Sequence, residues 1–578
     1  MTTTNNMTFK IAGAAGQGVE SSGAGFAQAL TGGGLHVFGL QDYMSRIRGG
    51  LNFYQIRVHE EPLYCHEDAV HILLPLNAEG LEAYQDEVVE GGGVIYDEGL
   101  KIERSSVAEG GRKAMPVPLI EIAQEHGERV MENTAALGAA AGVVEYSYER
   151  LADIIRKNFK RKGGEVVAAN LRVARAAYLY AQERYAADFE WKLIEIPDAP
   201  QRMVMAGNQA MALGALAGGC RFISAYPMTP ATSIIEWMAK HEHEFDVVTK
   251  HAEDEIAAVC MAIGANFVGA RAMTATSGGG FALMTEALGL AGMNEVPLVL
   301  FEAQRGGPST GLPTRTEQSD LLFVLNASQG EFPRLLLAPG TIEENFEVGW
   351  RAFNLAEKYQ TPILVLSDQL LASSVRTVEV EDIDFDKVEI DRGKLLSSEE
   401  LDSLTEPYKR HAFTEDGISP RAVPGHPKAV YATASDEHNE LGHITEDMDN
   451  RTKMMTKRMT KLETARQDVR PPTRYGPQEA PIVLIGWGST YGVLRETVDR
   501  LDGEARLVHF CDLWPFPAEA AKDALQGGKL VVVENNYMGQ FRRLLQSETC
   551  IEVDHSILRF DGRPFSPEDI LAGLKEVR

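Results

Sequence analysis

Ala270-Arg-Ala-Met-Thr-Ala-Thr-Ser-Gly-Gly-Gly280 is the stretch on which the fold turns. A short buried-strand pattern runs straight into three glycines, and a helical pattern from Phe281 to Met293 follows. Two neighbouring segments repeat the scheme. Arg221-Phe-Ile-Ser-Ala-Tyr226 leads into Ala225-Tyr-Pro-Met-Thr-Pro230 and a helix over 231–240. Pro297-Leu-Val-Leu-Phe-Glu302 leads into Gln304-Arg-Gly-Gly-Pro-Ser-Thr-Gly-Leu-Pro-Thr-Arg315. Strands alternating with helices predict an α/β layer around a mostly parallel sheet. Ligands of such sheets lie beyond the carboxyl ends of the strands, so three polar loops at strand ends predict one binding site.

Further strands are expected at Phe245-Asp-Val-Val-Thr249 and Pro362-Ile-Leu-Val-Leu366, which extends this core over residues 202–376. A first α/β region, 1–192, opens with the strand Phe9-Lys-Ile-Ala12, the turn Gly13-Ala-Ala-Gly-Gln-Gly18 and a helix from Ser21 to Leu30. The linker Ile194-Glu-Ile-Pro-Asp-Ala-Pro200 separates the two, its prolines discouraging helix and sheet alike. Patterning fades over 377–478. Acids from Glu379 to Asp391 crowd one side of that connector and bases from Arg451 to Arg474 the other, and Met454, Met455, Met459 and Leu462 suggest a helix whose basic face is solvated. Strand–helix alternation resumes over 479–578 with Ile482-Val-Leu-Ile485, Ala505-Arg-Leu-Val-His-Phe510 and Lys529-Leu-Val-Val-Val-Glu534.

Composition removes several classes of function. The 578 residues carry a net charge of −27, which opposes general nucleic-acid binding. No apolar run reaches the roughly 20 residues of a membrane span, and Met1–Met7 lacks a secretory signal, so a cytoplasmic protein is expected. The five cysteines, Cys65, Cys220, Cys260, Cys511 and Cys550, form no Cys-x-x-Cys pair, which argues against a disulfide framework and against an iron–sulfur cluster in this chain. His241 with His243, and Cys65-His66 with His71, do not make a metal site, and no metal is assigned. Neither a P-loop nor a Gly-x-Ser-x-Gly elbow is present.

The motifs supply candidate roles. Each proline of Tyr226-Pro227-Met-Thr229-Pro230 restrains the residue before it, holding the Thr229 hydroxyl at a strand end. In His251-Ala-Glu-Asp-Glu-Ile256 three acids complement a helix dipole, which is a complete structural explanation. Ile256, Val259 and Ile263 mark the apolar face, and Glu255 beside it is a candidate for a half-buried, tuned carboxyl. Arg305 and Arg315 suit bidentate recognition of a carboxylate, although Arg315 also stands close to Glu317 and Asp320. Gly13–Gly18 fits a phosphate-bearing ligand and a tight packing turn equally, and Arg46 and Arg48 suit either an anion or a subunit contact.

Taken together, these segments resemble the 2-oxoacid:ferredoxin oxidoreductases, specifically a fused gamma–alpha subunit, over nearly the whole chain. Gly13–Gly18 resembles the start of the gamma portion. Tyr226–Pro230, Glu253–Ala257, Thr274–Gly280 and Gln304–Arg315 resemble the alpha portion in the family's order, and Gly-Pro-Ser-Thr-Gly-Leu-Pro-Thr is its most specific element. Gly486–Gly492, Trp514–Pro517 and Glu534–Gln540 resemble the transketolase C-terminal-like domain. Met228 stands where isoleucine is commoner. The resemblance implies a multidomain α/β protein: a gamma-type α/β domain, a doubly wound thiamine-diphosphate-binding-type (pyrimidine-side) domain, and a transketolase C-terminal-like α/β domain. It implies CoA-dependent oxidative decarboxylation of a 2-oxo acid with electrons passed to ferredoxin. Thiamine diphosphate would be shared with a beta subunit that carries Mg2+ and the [4Fe-4S] cluster, in an (alpha-beta)2 assembly.

In that frame Glu255 is the acid–base group at the aminopyrimidine, with Tyr226 and Pro227 against the cofactor. Thr229, Arg305 and Arg315 bind substrate, and Gly16, Gly18, Arg46 and Arg48 are possible anion or CoA contacts. The resemblance points to 2-oxoglutarate, giving succinyl-CoA and CO2, with branched-chain or aryl 2-oxo acids as rivals. It also leaves open a gamma portion that only docks and covers CoA.

Overall fold

The computed structural model describes residues 3–44 and 50–576. The chain forms two compact units. The first comprises Met1–Ala206, Ser373–Ile383 and Ser566–Asp569, and the second the remainder.

In the first unit Met7–Ala14 is buried along almost its whole length, as a central strand covered on both faces must be. It stands in an eight-stranded sheet ordered Lys113–Val117, Val88–Asp97, Val70–Pro75, Met7–Ala14, Leu51–His59, His36–Asp42, Val375–Glu379, Arg202–Ala206. The first three pairings are parallel and the other four antiparallel. The sheet is therefore mixed, not mostly parallel. The link between His36–Asp42 and Leu51–His59 is shorter than the roughly dozen residues a parallel crossover requires. Arg202–Ala206 and Val375–Glu379, placed by sequence at the ends of the alpha core, pair with each other and belong to this sheet. They are the chain's exit from the first unit and its return.

The second unit is built on a seven-stranded sheet: β1 (Phe222–Ala225), β2 (Val248–His251), β3 (Ala272–Thr276), β4 (Leu298–Gln304), β5 (Leu335–Leu337), β6 (Pro362–Asp368) and β7 (Asp512–Trp514). Its order is β2-β1-β3-β4-β6-β5-β7, all parallel except the last pair. β4 at its centre is buried at every position, and the helices α1 (Glu255–Phe267) and α2 (Gly278–Met293) follow the ends of β2 and β3. A five-stranded sheet from residues 473–558 completes the unit, and it shares one apolar core with the central sheet through Trp487, Phe510 and Phe541.

The connector differs most from its sequence reading. Met448–Ala465 is a helix, but its buried face is Met454, Lys457, Arg458, Lys461 and Ala465, so the basic residues turn inward. Lys457 Nζ lies 2.6 Å from Glu295 Oε1, Lys461 also pairs with Glu295, and His411 Nδ1 is 2.8 Å from the same carboxylate. Arg458 pairs with Glu437 at 2.8 Å. Paired charge of this kind can be buried where isolated charge cannot. Burial alone would raise the Glu295 carboxyl, but Lys457, Lys461 and His411 outweigh it and hold it well below its usual value. Burial brings Lys461 down to about 7.

Candidate active site

Glu255 is the first residue of α1, and Asp254 caps the helix by accepting a 2.7 Å bond from the Ala257 amide. The face that packs inward carries Glu255, Ala258, Val259, Ala262 and Ile263. Ile256 is 51% exposed and does not belong to the apolar face the sequence suggested. Glu255 is only 4% exposed, deeper than half-buried, and its Oε1 has no hydrogen-bond partner among the described residues. Above it stands Gly280 in α2. A Cβ there would lie 2.7 Å from Glu255 Oε1 and 2.1 Å from Thr276 Oγ1, so only glycine lets α2 cross this carboxyl.

The loop after β1 brings in the second component. Thr229 is half-buried, and its carbonyl accepts a 2.7 Å bond from Arg305 Nη1. Met228 Sδ lies 3.9 Å from Thr276 Oγ1. Tyr226 and Pro227 are exposed at the sheet's carboxyl edge. A cavity of about 490 Å³ opens there, lined by Met228, Gly278, Gly279, Arg305, Ser309 and Asp320 among others. The three loops singled out from the sequence therefore converge on one cavity.

Arg305 and Arg315 part company. The loop folds back on itself, with Leu312 N donating to Gly306 O at 2.7 Å and Gly306 N to Arg315 O at 3.1 Å. Arg305 faces the cavity, whereas the Arg315 Cβ lies 2.8 Å from where a Cβ on Gly562 would sit, and the described cavity lining does not include it. Burial lowers the Arg305 guanidinium from its usual value, with Asp320 acting against that shift.

Sequence reasoning missed the clamp that holds this loop. Gln318 is fully buried and bonds to the 473–558 sheet region in both directions. Its amide N donates to Asn535 O at 2.6 Å, its side chain donates to Trp487 O at 3.0 Å, and its Oε1 accepts from Asn535 N at 3.1 Å. Asn536 Nδ2 donates to Gln318 O at 3.0 Å. Also missed was Glu302 on β4, and Asp320, which the sequence offered only as a neighbour of Arg315, stands in the cavity wall. The signal was present: Glu302 is a lone acid at the end of an otherwise apolar run.

At Gly13–Gly18, Gln17 Oε1 accepts from Ala14 N at 2.7 Å and from Asn77 Nδ2 at 2.9 Å, and Gly18 leads into the helix Val19–Gly32 with φ 75°. This is the geometry of a tight strand-to-helix turn. The Arg46 and Arg48 expectation lies outside the described residues. Among the described residues no three His, Cys, Asp or Glu side chains gather as a metal-ligand group, and no helix is long and apolar enough to cross a membrane.

Residues 213–457 match the family described as pyruvate flavodoxin/ferredoxin oxidoreductase, thiamine diphosphate-binding, and residues 8–180 match pyruvate ferredoxin/flavodoxin oxidoreductase. A 2-oxoacid:ferredoxin oxidoreductase subunit alpha from Sulfolobus is 34% identical over 99% of this chain and 97% of its own. This chain is an alpha subunit of the 2-oxoacid:ferredoxin oxidoreductases. As such it is an oxidoreductase subunit with a thiamine-diphosphate-binding domain, and the subunit naming of its relatives implies partner subunits and ferredoxin as acceptor. A Mycobacterium tuberculosis relative named 2-oxoglutarate oxidoreductase subunit KorA is 30% identical over 98% of this alpha subunit and 90% of its own length. The solved 2-oxoglutarate:ferredoxin oxidoreductase from Magnetococcus marinus, with 2-oxoglutarate, coenzyme A and succinyl-CoA bound, superposes with a TM-score of 0.91 at 34% identity, covering 99% of both chains.

Proposed function

We propose that this alpha subunit forms half of a 2-oxoglutarate:ferredoxin oxidoreductase site, with Arg305 reading a substrate carboxylate in the cavity above β3 and β4. The observation that carries the reading is the convergence of the Met228–Thr229 turn, Gly278–Gly279 and Arg305 on one cavity at the carboxyl edge of the sheet, with the unpartnered Glu255 Oε1 under the adjoining Gly280. The bound substrate of the Magnetococcus relative favours 2-oxoglutarate, while the generic naming of the Sulfolobus relative favours a wider range that includes branched-chain or aryl 2-oxo acids.

The buried, unpartnered Glu255 Oε1 under Gly280 fits a ring that offers a polar nitrogen. Thiamine diphosphate, when bound, supplies the carbon nucleophile that attacks a 2-oxo acid. Glu255 would hold a proton at its aminopyrimidine, with Tyr226 and Pro227 at the mouth of the same site. Thr229 would orient the substrate's 1-carboxylate or ketone and Arg305 would bind a carboxylate. Arg315 would act from the far side of the loop, through its packing at Gly562. The [4Fe-4S] cluster is assigned to the beta subunit because the cysteines of this chain lack cluster spacing, and Mg2+ because the chain has no Gly-Asp-Gly motif followed by asparagines. An (alpha-beta)2 assembly in the cytoplasm completes the reading. The gamma-like domain would cover CoA, with Gly16 and Gly18 near its anionic end.

The test is kinetic, on the subunit assembled with its beta partner. Glu255→Gln should lower turnover by about 10²–10⁴-fold, the range for a lost acid–base contact. Arg305→Ala should raise KM at least about tenfold for 2-oxoglutarate, the scale of a lost charged hydrogen bond. An active Glu255→Gln enzyme, or an Arg305→Ala enzyme with unchanged KM, contradicts the assignment.

A further inference from the structure

Glu302 lies near the carboxyl end of β4, three positions before Arg305, and its side chain is fully buried. Neither of its carboxyl oxygens has an N–H or O–H donor among the described residues. What lies against it is a second carboxyl, that of Asp320, within hydrogen-bonding contact. Two carboxylates make no hydrogen bond and repel, so contact of this kind in a water-poor site requires a proton between them. Asp320 is fixed from other sides. Its amide donates to Gln304 Oε1 at 3.0 Å, and Gln304 in turn donates to Ser367 O at 3.0 Å. A Cβ on Gly278 would fall 2.3 Å from Asp320 Oδ2, so α2 begins directly against this carboxyl. The outer side of Asp320 forms part of the cavity wall beside Arg305.

We propose that Glu302 and Asp320 share one proton, and that this proton sets the charge of the Arg305 cavity so that it accepts a substrate carboxylate. The proposal rests on the reading of that cavity as the substrate site. With the proton in place, the pair carries one negative charge, which the Arg305 cation balances. Loss of the proton places a second negative charge where a carboxylate must bind, and KM rises. Glu302 is a positioning residue: it acts through Asp320 and is itself closed off from the cavity.

The surroundings agree. Burial pushes the Glu302 carboxyl well above its usual value, and Asp320 pushes it the same way. Burial also raises Asp320, while Glu302 and Arg305 pull it back. The charged and titratable groups acting on the pair are Arg305 and Glu317, both from the loop after β4. Glu317 is itself raised by burial. β3 and β6 place uncharged Thr276 and Leu366 beside Glu302, and α2 begins with uncharged Gly278 and Gly279.

The test uses the assembled alpha–beta complex with 2-oxoglutarate as probe. As pH rises through the release of the shared proton, wild-type KM should rise about tenfold, the scale of one uncompensated charge near a carboxylate, with kcat changing less. Glu302→Gln donates to Asp320 at every pH and should flatten that rise. Glu302→Leu leaves Asp320 with the same single negative charge and should flatten the rise as well, while losing the stability of the hydrogen bond that the glutamine variant keeps. A second readout needs no substrate. Because the folded chain keeps a proton on Glu302 that the unfolded chain releases above about 4.5, wild type should lose thermal stability relative to Glu302→Gln as pH rises from there. Parallel stability curves, or a glutamine variant whose KM rises as in wild type, would overturn the proposal. Failure of the cavity reading itself would show separately, as an Arg305→Ala enzyme with unchanged KM.

Discussion

Two buried glutamates stand at opposite ends of the same central strand and meet opposite fates. Glu295, just before β4, is enclosed by Lys457, Lys461 and His411, which hold its carboxyl well below its usual value. Glu302, near the carboxyl end of β4, meets another acid and is pushed well above it. At the amino end one carboxylate is held by oppositely charged neighbours and the product is stability. At the carboxyl end two acids meet beside a cavity, and perturbed groups of that kind are a signature of a functional site. The same contrast separates Lys461, buried for structure, from Arg305, half-buried with one fork committed to Thr229 O.

The contrast can be broken from either end. The largest effect is expected at the carboxyl end from Gly280→Ala, whose new methyl overlaps Thr276 Oγ1 and Glu255 Oε1. Displacing an acid–base group by even an ångström costs about 10²-fold in turnover, so kcat should fall by about that factor. Glu295→Gln at the other end should leave two lysines buried without their anion and cost about 3–5 kcal/mol of stability, read as a lowered denaturation midpoint. The KM of the protein that remains folded should not move.

The two ends should also show opposite pH slopes. Glu295 is depressed in the fold, so its stabilisation is present above the unfolded value near 4.5 and is lost as pH falls through the lower folded value. The gap between wild type and Glu295→Gln should therefore close in acid, whereas Glu302→Gln should gain on wild type in alkali. The smallest effect is expected from Met228→Ile in the cavity wall. A volume-conserving apolar swap costs under about 1.5 kcal/mol, measurable as a modest shift in KM.

The carboxyl end was more legible in the sequence than the amino end. Strand, glycine or proline turn, and helix follow one another locally, so Thr229, Gly280 and Arg305 could be placed at one sheet edge from spacing alone. Glu255 was found in the first turn of its helix, but the face was drawn through Ile256, because apolar spacing does not say which side a helix packs. The lysines of the connector read as a solvated run because their partner Glu295 lies 162 positions away from Lys457. The mixed sheet of the first unit was hidden for the same reason: its strand at Val375–Glu379 returns from far along the chain to pair with His36–Asp42. β7 likewise joins the central sheet from beyond Phe510, a pairing with no local signal. Long-range pairing of charges and edges escaped the reading; local strand-to-helix turns did not.

The most direct measurement is CoA-dependent reduction of a low-potential dye by this alpha subunit assembled with its beta partner, under anaerobic conditions across a panel of 2-oxo acids. The account predicts a kcat/KM for 2-oxoglutarate at least about tenfold above that for pyruvate or branched-chain acids, with the margin removed by Arg305→Ala. Equal use of all the acids, or a preference for branched-chain or aryl substrates that survives Arg305→Ala, would contradict it.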